Sequence, residues 1–344
     1  MTQLQDLWSR GAVFLGCEHA IMGGAMSWVS ERNLVAALSN AGAFGVLAAS
    51  SMPPELLDKE IKETQKLLKP QTTNHESRTA NHVPFGVNLI LMHPQLDALV
   101  EVCIANKVTH VVLAGGMPKA PTINRLKEGG CKVIGFAPTA AIGKKLVKMG
   151  IDALVIEGTE AGGHIGPVST SVLAQEILPV IREVPVFVAG GIGRGEAIAS
   201  YLEMGASGVQ LGTRFVCASE SIAHENFKKA FLRANARDAV ASVQYHPDFP
   251  VIPVRAIANA ASEDFMRFQR ETVEKVQSGQ QTKEAGQLAI EHYWAGSLRK
   301  AVIDGDVERG SLMAGQSVGM VSEIQPVQVI IDTLVAQAEA FLAK

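Results

Sequence analysis

The sequence of 344 residues lacks several features that point to particular classes of protein. Positive charge is not in excess, since 31 Lys and Arg stand against 34 Asp and Glu, and no basic cluster indicates a partner made of nucleic acid or anionic membrane. The four cysteines lie far apart, without the spacing of a metal site, which is typical of reduced thiols. No apolar run reaches membrane-spanning length and no signal-peptide core is present, so we expect a soluble, cytoplasmic protein without a metal.

Aromatic residues are also scarce, at 5%, although 47% of the residues are hydrophobic and glycine is abundant. Short apolar runs alternate with amphipathic stretches between about residues 20 and 215. Candidate strands occupy residues 20–22, 44–49, 85–91, 110–115, 132–138, 153–157, 185–192 and 208–215. Eight strand–helix units in a row predict an α/β fold of the closed (β/α)8 TIM-barrel type. A doubly wound open sheet is the alternative, because spacing alone does not force closure.

Two regions depart from this rhythm. The polar segment 69–84 precedes a strand, which predicts a mobile surface loop on the amino-terminal face of the barrel. Residues 216–310 are mostly helical in pattern (223–234, 263–277 and 282–302) and predict a helical lid over the carboxyl-terminal face. We therefore divide the chain into a barrel at 1–215, a lid and substrate-pocket region at 216–310, and a segment at 311–344 whose amphipathic helix, 326–343, returns to the barrel.

One glycine-rich loop carries a candidate catalytic residue. The segment EGTEAGGHIG at 157–166 directly follows the apolar run that ends at Ile156. Its glycines allow the backbone to turn tightly beside a ligand, and His164 would lie at the carboxyl end of a strand, where barrels place their chemistry. A histidine in this position is a candidate acid or base. The alternative is an ordinary solvated histidine in a loop.

The last two candidate strands end in glycines that predict a phosphate site. Gly190 and Gly191 follow the seventh strand, and Gly212 and Thr213 follow the eighth. In barrels these two loops commonly bind phosphate through main-chain N–H groups, and the threonine adds a hydroxyl. The alternative is that the glycines only make tight turns. A phosphate held here would suit a phosphorylated cofactor lying across the carboxyl ends of the strands.

Three motifs together resemble one family: EAGGHIG at 160–166, AGGI at 189–192 and QLGTRF at 210–215. They are similar to the nitronate monooxygenase family, also called 2-nitropropane dioxygenase, which includes flavin-type enoyl-ACP reductases. The resemblance runs from about residue 16 to 325. It implies a (β/α)8 barrel that binds FMN and carries a helical lid.

The resemblance also implies roles for individual residues. His164 matches the active-site histidine, and Asn88 in the FGVN segment at 85–88 matches an asparagine that reaches the flavin. An asparagine that merely caps the strand end is the alternative for Asn88. The cofactor-binding residues implied in this way are Gly24, Met26, Asn88, Glu160, Gly163, Gly190, Gly191, Gln210, Gly212, Thr213, Ala314, Gly315 and Gln316.

Three functions stay open at this point. The resemblance favours a nitronate monooxygenase that oxidises alkyl nitronates with O2 to a carbonyl compound and nitrite, with His164 as base or substrate contact. The segment around Met313 resembles enoyl-ACP reductases more closely, so a flavin reductase that uses NAD(P)H on an enoyl thioester or a quinone is the alternative. A phosphate-binding barrel without redox chemistry is the third, because a fold does not determine a function. We expect a small-molecule substrate as partner, and a homodimer stays open.

Overall fold

The barrel strands follow the apolar runs of the sequence closely. The computed structural model describes residues 2–69, 83–246 and 252–344. Within these residues eight parallel strands form one sheet. They are β1 (Ile21–Gly23), β2 (Val46–Ala48), β3 (Gly86–Ile90), β4 (His110–Ala114), β5 (Lys132–Phe136), β6 (Ala153–Glu157), β8 (Val186–Ala189) and β9 (Gly208–Leu211), while β7 (Gly163–His164) lies outside this sheet. Most of their residues are buried because one side of the sheet faces the barrel interior and the other packs under helices.

The sheet is closed. The strand order is β1-β9-β8-β6-β5-β4-β3-β2, and the two ends meet through a parallel bridge between Met22 and Phe44. The Gly23 N–H donates to the Phe44 carbonyl at 2.8 Å, and the Phe44 N–H donates to the Ile21 carbonyl at 2.9 Å. The predicted TIM-type barrel is thus confirmed, and the doubly wound alternative is excluded.

The helices surround the barrel and extend beyond it. They are α1 (Gln3–Leu15), α2 (Arg32–Asn40), α3 (Pro54–Leu67), α4 (Leu96–Ala105), α5 (Ala120–Glu128), α6 (Ala140–Lys148), α7 (Thr170–Ile177), α8 (Gly195–Glu203), α9 (Thr213–Val216), α10 (Glu225–Arg233), α11 (Ala260–Gln277), α12 (Lys283–Val302) and α13 (Val327–Leu342). None of these helices is long and apolar enough to cross a bilayer.

The last two predicted strands are shorter than expected. The strand predicted at 185–192 ends at Ala189, because Gly190 and Gly191 adopt left-handed φ angles of 99° and 72° that leave the extended conformation. The strand predicted at 208–215 ends at Leu211, and the chain then turns into α9. Both corrections bring the glycine motifs into turns at the carboxyl face.

Helix α1, which the sequence pattern had not predicted, closes the amino-terminal end of the barrel. Trp8 is buried, and a Cβ atom on Gly11 would lie only 1.9 Å from the Ser207 carbonyl oxygen. The Phe14 carbonyl accepts hydrogen bonds from His110 Nε2 at 2.9 Å and Lys132 Nζ at 2.6 Å. These two residues begin β4 and β5, so the helix end is attached to the bottom of the sheet.

The lid contains a sheet as well as helices. Strands β10 (Ala239–Ala241), β11 (Val254–Ile257) and β12 (Leu312–Met313) join β7 in an antiparallel arrangement. A small separate core lies against β11 and is formed by Val254, Phe265, Val273, Ile290 and Trp294. The three predicted lid helices are present as α10, α11 and α12, and the predicted C-terminal helix is present as α13. The proposed division into three regions stays a prediction, as does the mobile loop at 69–84, of which residues 70–82 lie outside the described residues.

Helix α13 packs against α8, α1 and α2, so it returns to the barrel. Helices α8 and α13 lie close together at Gly195. A Cβ atom at this position would lie 2.1 Å from the Leu334 carbonyl oxygen and 2.5 Å from the Ala338 nitrogen. The Gly195 N–H also donates to Gln337 Oε1 at 2.9 Å. Only glycine permits this contact between the two helices.

We expect Gly195→Ala to lower the free energy of unfolding by about 1–3 kcal/mol, because the added methyl group must push α13 away from α8. Gly296→Ala in α12 is the matched control, since no atom lies within 4 Å of its Cβ position. That change removes a helix-interior glycine and should stabilise by about 0.5–1 kcal/mol. Urea unfolding measures both, and equal effects of the two substitutions would contradict the packing argument.

Candidate active site

A cavity of about 250 Å³ lies at the carboxyl ends of the barrel strands. The strand ends form its floor, and Phe227, Leu298 and Met313, from α10, α12 and β12, form an apolar wall on the side of the lid. Most of the predicted site residues line it, namely Gly24, Met26, Asn88, Gly163, His164, Gly190, Gly191, Gln210, Gly212, Thr213 and Gly315. Motifs far apart in the sequence therefore meet in one place.

One corner of the cavity is suited to a phosphate group. The N–H groups of Gly190, Gly191 and Gly212 donate to no carbonyl within the described part of the chain. Thr213 Oγ1 accepts a hydrogen bond from the Gly315 N–H at 2.9 Å, so its own hydrogen is left to donate elsewhere. Main-chain donors and a hydroxyl in a concave turn are the groups that bind phosphate oxygens. The residues present thus fit the phosphate of a nucleotide-type cofactor.

Two buried amides indicate a ligand with its own donors and acceptors. Gln210 is 8% exposed, and its side-chain amide makes no hydrogen bond to any described residue. Asn88 lies inside β3 rather than at its end, and its Nδ2 donates to the Val112 carbonyl at 3.2 Å. The Gln210 amide faces the cavity, so a bound heterocycle with its own donors and acceptors can pair with it. The amide pair fits the edge of a flavin ring.

The first loop is held in place by a serine. Ser30 Oγ donates to the Gly24 carbonyl at 3.0 Å and accepts from the Met26 N–H at 3.0 Å. Beside it, the Ser27 and Ser50 hydroxyls are hydrogen-bonded at 2.7 Å, and both serines line the cavity. The main chain at Gly24 and Met26 is therefore fixed as part of the cavity wall.

Three predicted contact residues stand behind the wall rather than on it. The Glu160 carboxylate accepts from the Thr170 N–H at 2.9 Å and from its hydroxyl at 3.0 Å, and the Glu160 carbonyl accepts from the Gln316 N–H at 2.9 Å. Glu160, Ala314 and Gln316 do not line the cavity, although their neighbour Gly315 does. In the structure these residues connect the β6 loop to the C-terminal segment.

His164 lies on the cavity wall, on the short strand β7. This strand pairs with β11, with His164 opposite Val254, and the next N–H, of Ile165, donates to the Pro253 carbonyl at 2.9 Å. The main chain of the histidine is thus fixed between barrel and lid. The structure places the residue beside the cavity, where it is accessible to a bound substrate.

Glu157 is a cavity residue to which sequence reasoning gave no role. It is the last residue of β6 and faces the cavity together with His164. Burial raises the pKa of its carboxyl to about 7, and His164 opposes that shift. Its place at the end of a predicted buried strand was the available signal, because such positions face the active site in barrels.

The family to which the chain belongs follows from a match to one family model. The model of the nitronate monooxygenase family matches residues 10–337. The chain belongs to the nitronate monooxygenase family. It is therefore an oxidoreductase of a flavin-dependent family, and the resemblance seen in the sequence motifs is confirmed.

Individual relatives are similar over nearly the whole chain. A "(3aS,4S,5R,7aS)-5-hydroxy-7a-methyl-1-oxo-octahydro-1H-indene-4-carboxyl-CoA dehydrogenase" of Rhodococcus jostii is 28% identical, with 94% of each chain covered. A "probable nitronate monooxygenase" of Staphylococcus aureus is 26% identical, with 90% of this chain and 92% of the relative covered. At these identities the family is shared, but the names of the relatives differ in substrate.

Solved structures give the same result. FabK from Thermotoga maritima superimposes with a TM-score of 0.82 and 34% identity, covering 100% of this chain and 97% of the other. A nitroalkane oxidase from Streptomyces ansochromogenes gives a TM-score of 0.77 and 25% identity, covering 96% and 98%. The two superpositions include both the barrel and the lid of this chain.

The raised pKa of Glu157 predicts a pH-dependent stability. Its value of about 7 in the folded protein compares with an ordinary value of 4.5, so between these pH values the folded state holds a proton that the unfolded chain has released. The stabilisation is complete below the lower value and is lost as the pH rises through the upper one. The free energy of unfolding of Glu157→Gln should therefore exceed that of wild type by on the order of 1–3 kcal/mol between about pH 5 and pH 8.

Urea unfolding of the flavin-free wild type and variant at several pH values measures this difference. If the free energies of unfolding of the two proteins changed with pH in parallel, the carboxyl of Glu157 would not be perturbed in the folded state.

Proposed function

We propose that the protein is an FMN-dependent nitronate monooxygenase that oxidises alkyl nitronates with O2 to a carbonyl compound and nitrite. The observation that carries the proposal is a single cavity in which His164 and a phosphate-binding corner occur together. Family membership supports the flavin, and the Staphylococcus relative, whose name includes nitronate monooxygenase, supports the substrate.

The phosphate of FMN would be held by the N–H groups of Gly190, Gly191 and Gly212 and by the Thr213 hydroxyl. The ring would be held by Asn88 and Gln210 and by the main chain at Gly24 and Met26. FMN, when bound, supplies the electron transfer from substrate to dioxygen, and the protein supplies binding and orientation. Neutral main-chain donors suit a group that carries its own negative charge.

His164 is the residue we assign to the substrate. An imidazole exchanges a proton near neutral pH, so it is able to remove the α-proton of a neutral nitroalkane or to donate a hydrogen bond to the nitro group of a nitronate. The pairing of β7 with β11 fixes its main chain, which limits where the ring can lie. The apolar side chains of Phe227, Leu298 and Met313 reduce the water around the reacting atoms.

A second function is favoured by one observation. FabK is more similar to this chain than the nitroalkane oxidase is, in both TM-score and identity. The alternative proposal is therefore a flavin reductase that uses NAD(P)H on an enoyl thioester or a quinone, in the same cavity. The relative from Rhodococcus jostii, whose name includes a CoA thioester, gives this proposal further support.

Anaerobic mixing separates the two proposals. We expect the purified protein to be yellow, to release FMN on denaturation, and to lose its flavin absorption when mixed with an alkyl nitronate without O2. Prompt bleaching by NADH or NADPH, with no response to the nitronate, would favour the reductase instead. A colourless protein that does not bind added FMN would contradict both.

We expect His164→Ala to retain its flavin and to lose turnover of neutral nitroalkanes by about 100-fold or more, the range typical of a lost general base. Turnover of preformed nitronate should fall less, because its α-proton has already been removed. Steady-state kinetics and flavin absorbance measure these effects.

His292→Ala is the matched control, because His292 is an exposed histidine of α12 outside the cavity lining. If turnover of the neutral nitroalkane were the same in both variants, His164 would not be the base.

A further inference from the structure

Two titratable side chains line the cavity among the described residues, Glu157 and His164. All other side chains there are apolar, hydroxyl or amide groups. The side-chain charge of the described cavity lining is therefore set by this one acid and this one base. Its net charge ranges from positive, with both groups protonated, to negative, with neither.

Among the described residues, His164 is the side chain whose charge favours the ionised form of Glu157, and burial opposes that form more strongly. The Glu157 carboxylate accepts no hydrogen bond from any described residue, Ala189 of β8 is in register with it, and Phe136 of β5 lines the same cavity. Two other charged side chains around the β6 loop are engaged elsewhere: Glu160 is bonded to Thr170, and Arg255 donates to the carbonyls of Thr159 and Ala239. A ligand that fills the cavity removes further water from Glu157, which favours the protonated carboxyl even more.

We propose that Glu157 makes the binding of anionic ligands in this cavity depend on a proton: the cavity binds an anion while Glu157 is protonated and repels it once Glu157 is ionised. The inference deepens the proposed function, on which it rests, because a nitronate substrate and a nitrite product are both anions. Neutral ligands of the same shape, such as a nitroalkane or an enoyl thioester, are not subject to this control.

The proposal has a stoichiometric consequence. Because the pKa of Glu157 is about 7, an anion that raises this pKa draws up to one proton from solvent as it binds around and above pH 7, and Glu157 takes it up. His164 is the other ionisable side chain of the described cavity lining, so the contributions of the two residues must be separated by substitution. Each group contributes at most one proton, and no other titratable side chain faces the cavity within the described ranges.

The test uses the flavin-loaded protein with nitrite as the probe. Calorimetric titration in buffers of different ionisation enthalpy gives both the dissociation constant and the number of protons taken up. For wild type we expect the dissociation constant to rise steadily above about pH 7. Glu157→Gln should bind nitrite about tenfold more tightly than wild type at pH ~8.5 and equally at pH ~5.5, as expected if the bound anion raises the pKa of the acid by one unit.

His164→Gln provides the second measurement, and it does not depend on how the Glu157 variant folds. Proton uptake on nitrite binding should persist in His164→Gln and disappear when Glu157→Gln is added. Loss of all proton uptake in His164→Gln alone would overturn the proposal, and so would nitrite binding by Glu157→Gln that is unchanged or weaker at pH ~8.5. Failure of wild type to bind nitrite at pH ~5.5 would overturn it as well.

These outcomes are distinguishable from a failure of the proposed function. Binding of nitrite requires no turnover, so a protein that does not oxidise nitronates but takes up a proton with nitrite would contradict the monooxygenase and retain the role of Glu157. As a kinetic counterpart, KM for a nitronate should rise with pH in wild type more steeply than in Glu157→Gln. KM for a neutral nitroalkane should show no such difference.

Discussion

The site depends on a main-chain contact between two segments that are far apart in the sequence. The β6 loop and the segment at 314–316 touch backbone to backbone, with the Gln316 N–H bonded to the Glu160 carbonyl. A Cβ atom on Gly162 would lie 2.5 Å from the Gly315 nitrogen, and the Gly315 N–H in turn bonds to Thr213. The loop that carries the histidine, the phosphate corner and the C-terminal segment are therefore positioned together, and the glycines at 162 and 315 are required for contact rather than for flexibility.

Much of the barrel was predictable because buried parallel strands have a strong signal, a short apolar run followed by glycine. The turn at the proposed phosphate corner was predictable for a related reason, since Gly190 and Gly191 end one such run. The lid sheet was not, because β7 and β12 have two residues each and too little length for any periodic pattern. Helix α1 was missed although its buried Trp8 and Leu15 are spaced as on one helix face.

The site residues differ in how well sequence could place them. His164 and Asn88 were found from motifs, and the structure puts both on the cavity. Glu160 belongs to the same motif, but whether a glutamate faces a ligand or a neighbouring threonine depends on three-dimensional packing that spacing does not encode. Glu157 shows the reverse case: its position at the end of a buried strand indicates a place at the active site, but the perturbation of its carboxyl by desolvation became visible only in the structure. Motifs therefore located the cavity, while the electrostatic character of the cavity required coordinates.

The attachment of α1 to the base of β4 and β5 bears on the order of events in catalysis. With that end of the barrel covered by Trp8 and Phe14, the described residues place the cavity on the opposite face, on the side of the lid. An oxidisable substrate and any second organic reactant would therefore approach the same face of the barrel. Such a geometry is compatible with alternating half-reactions in which the two reactants share one cavity.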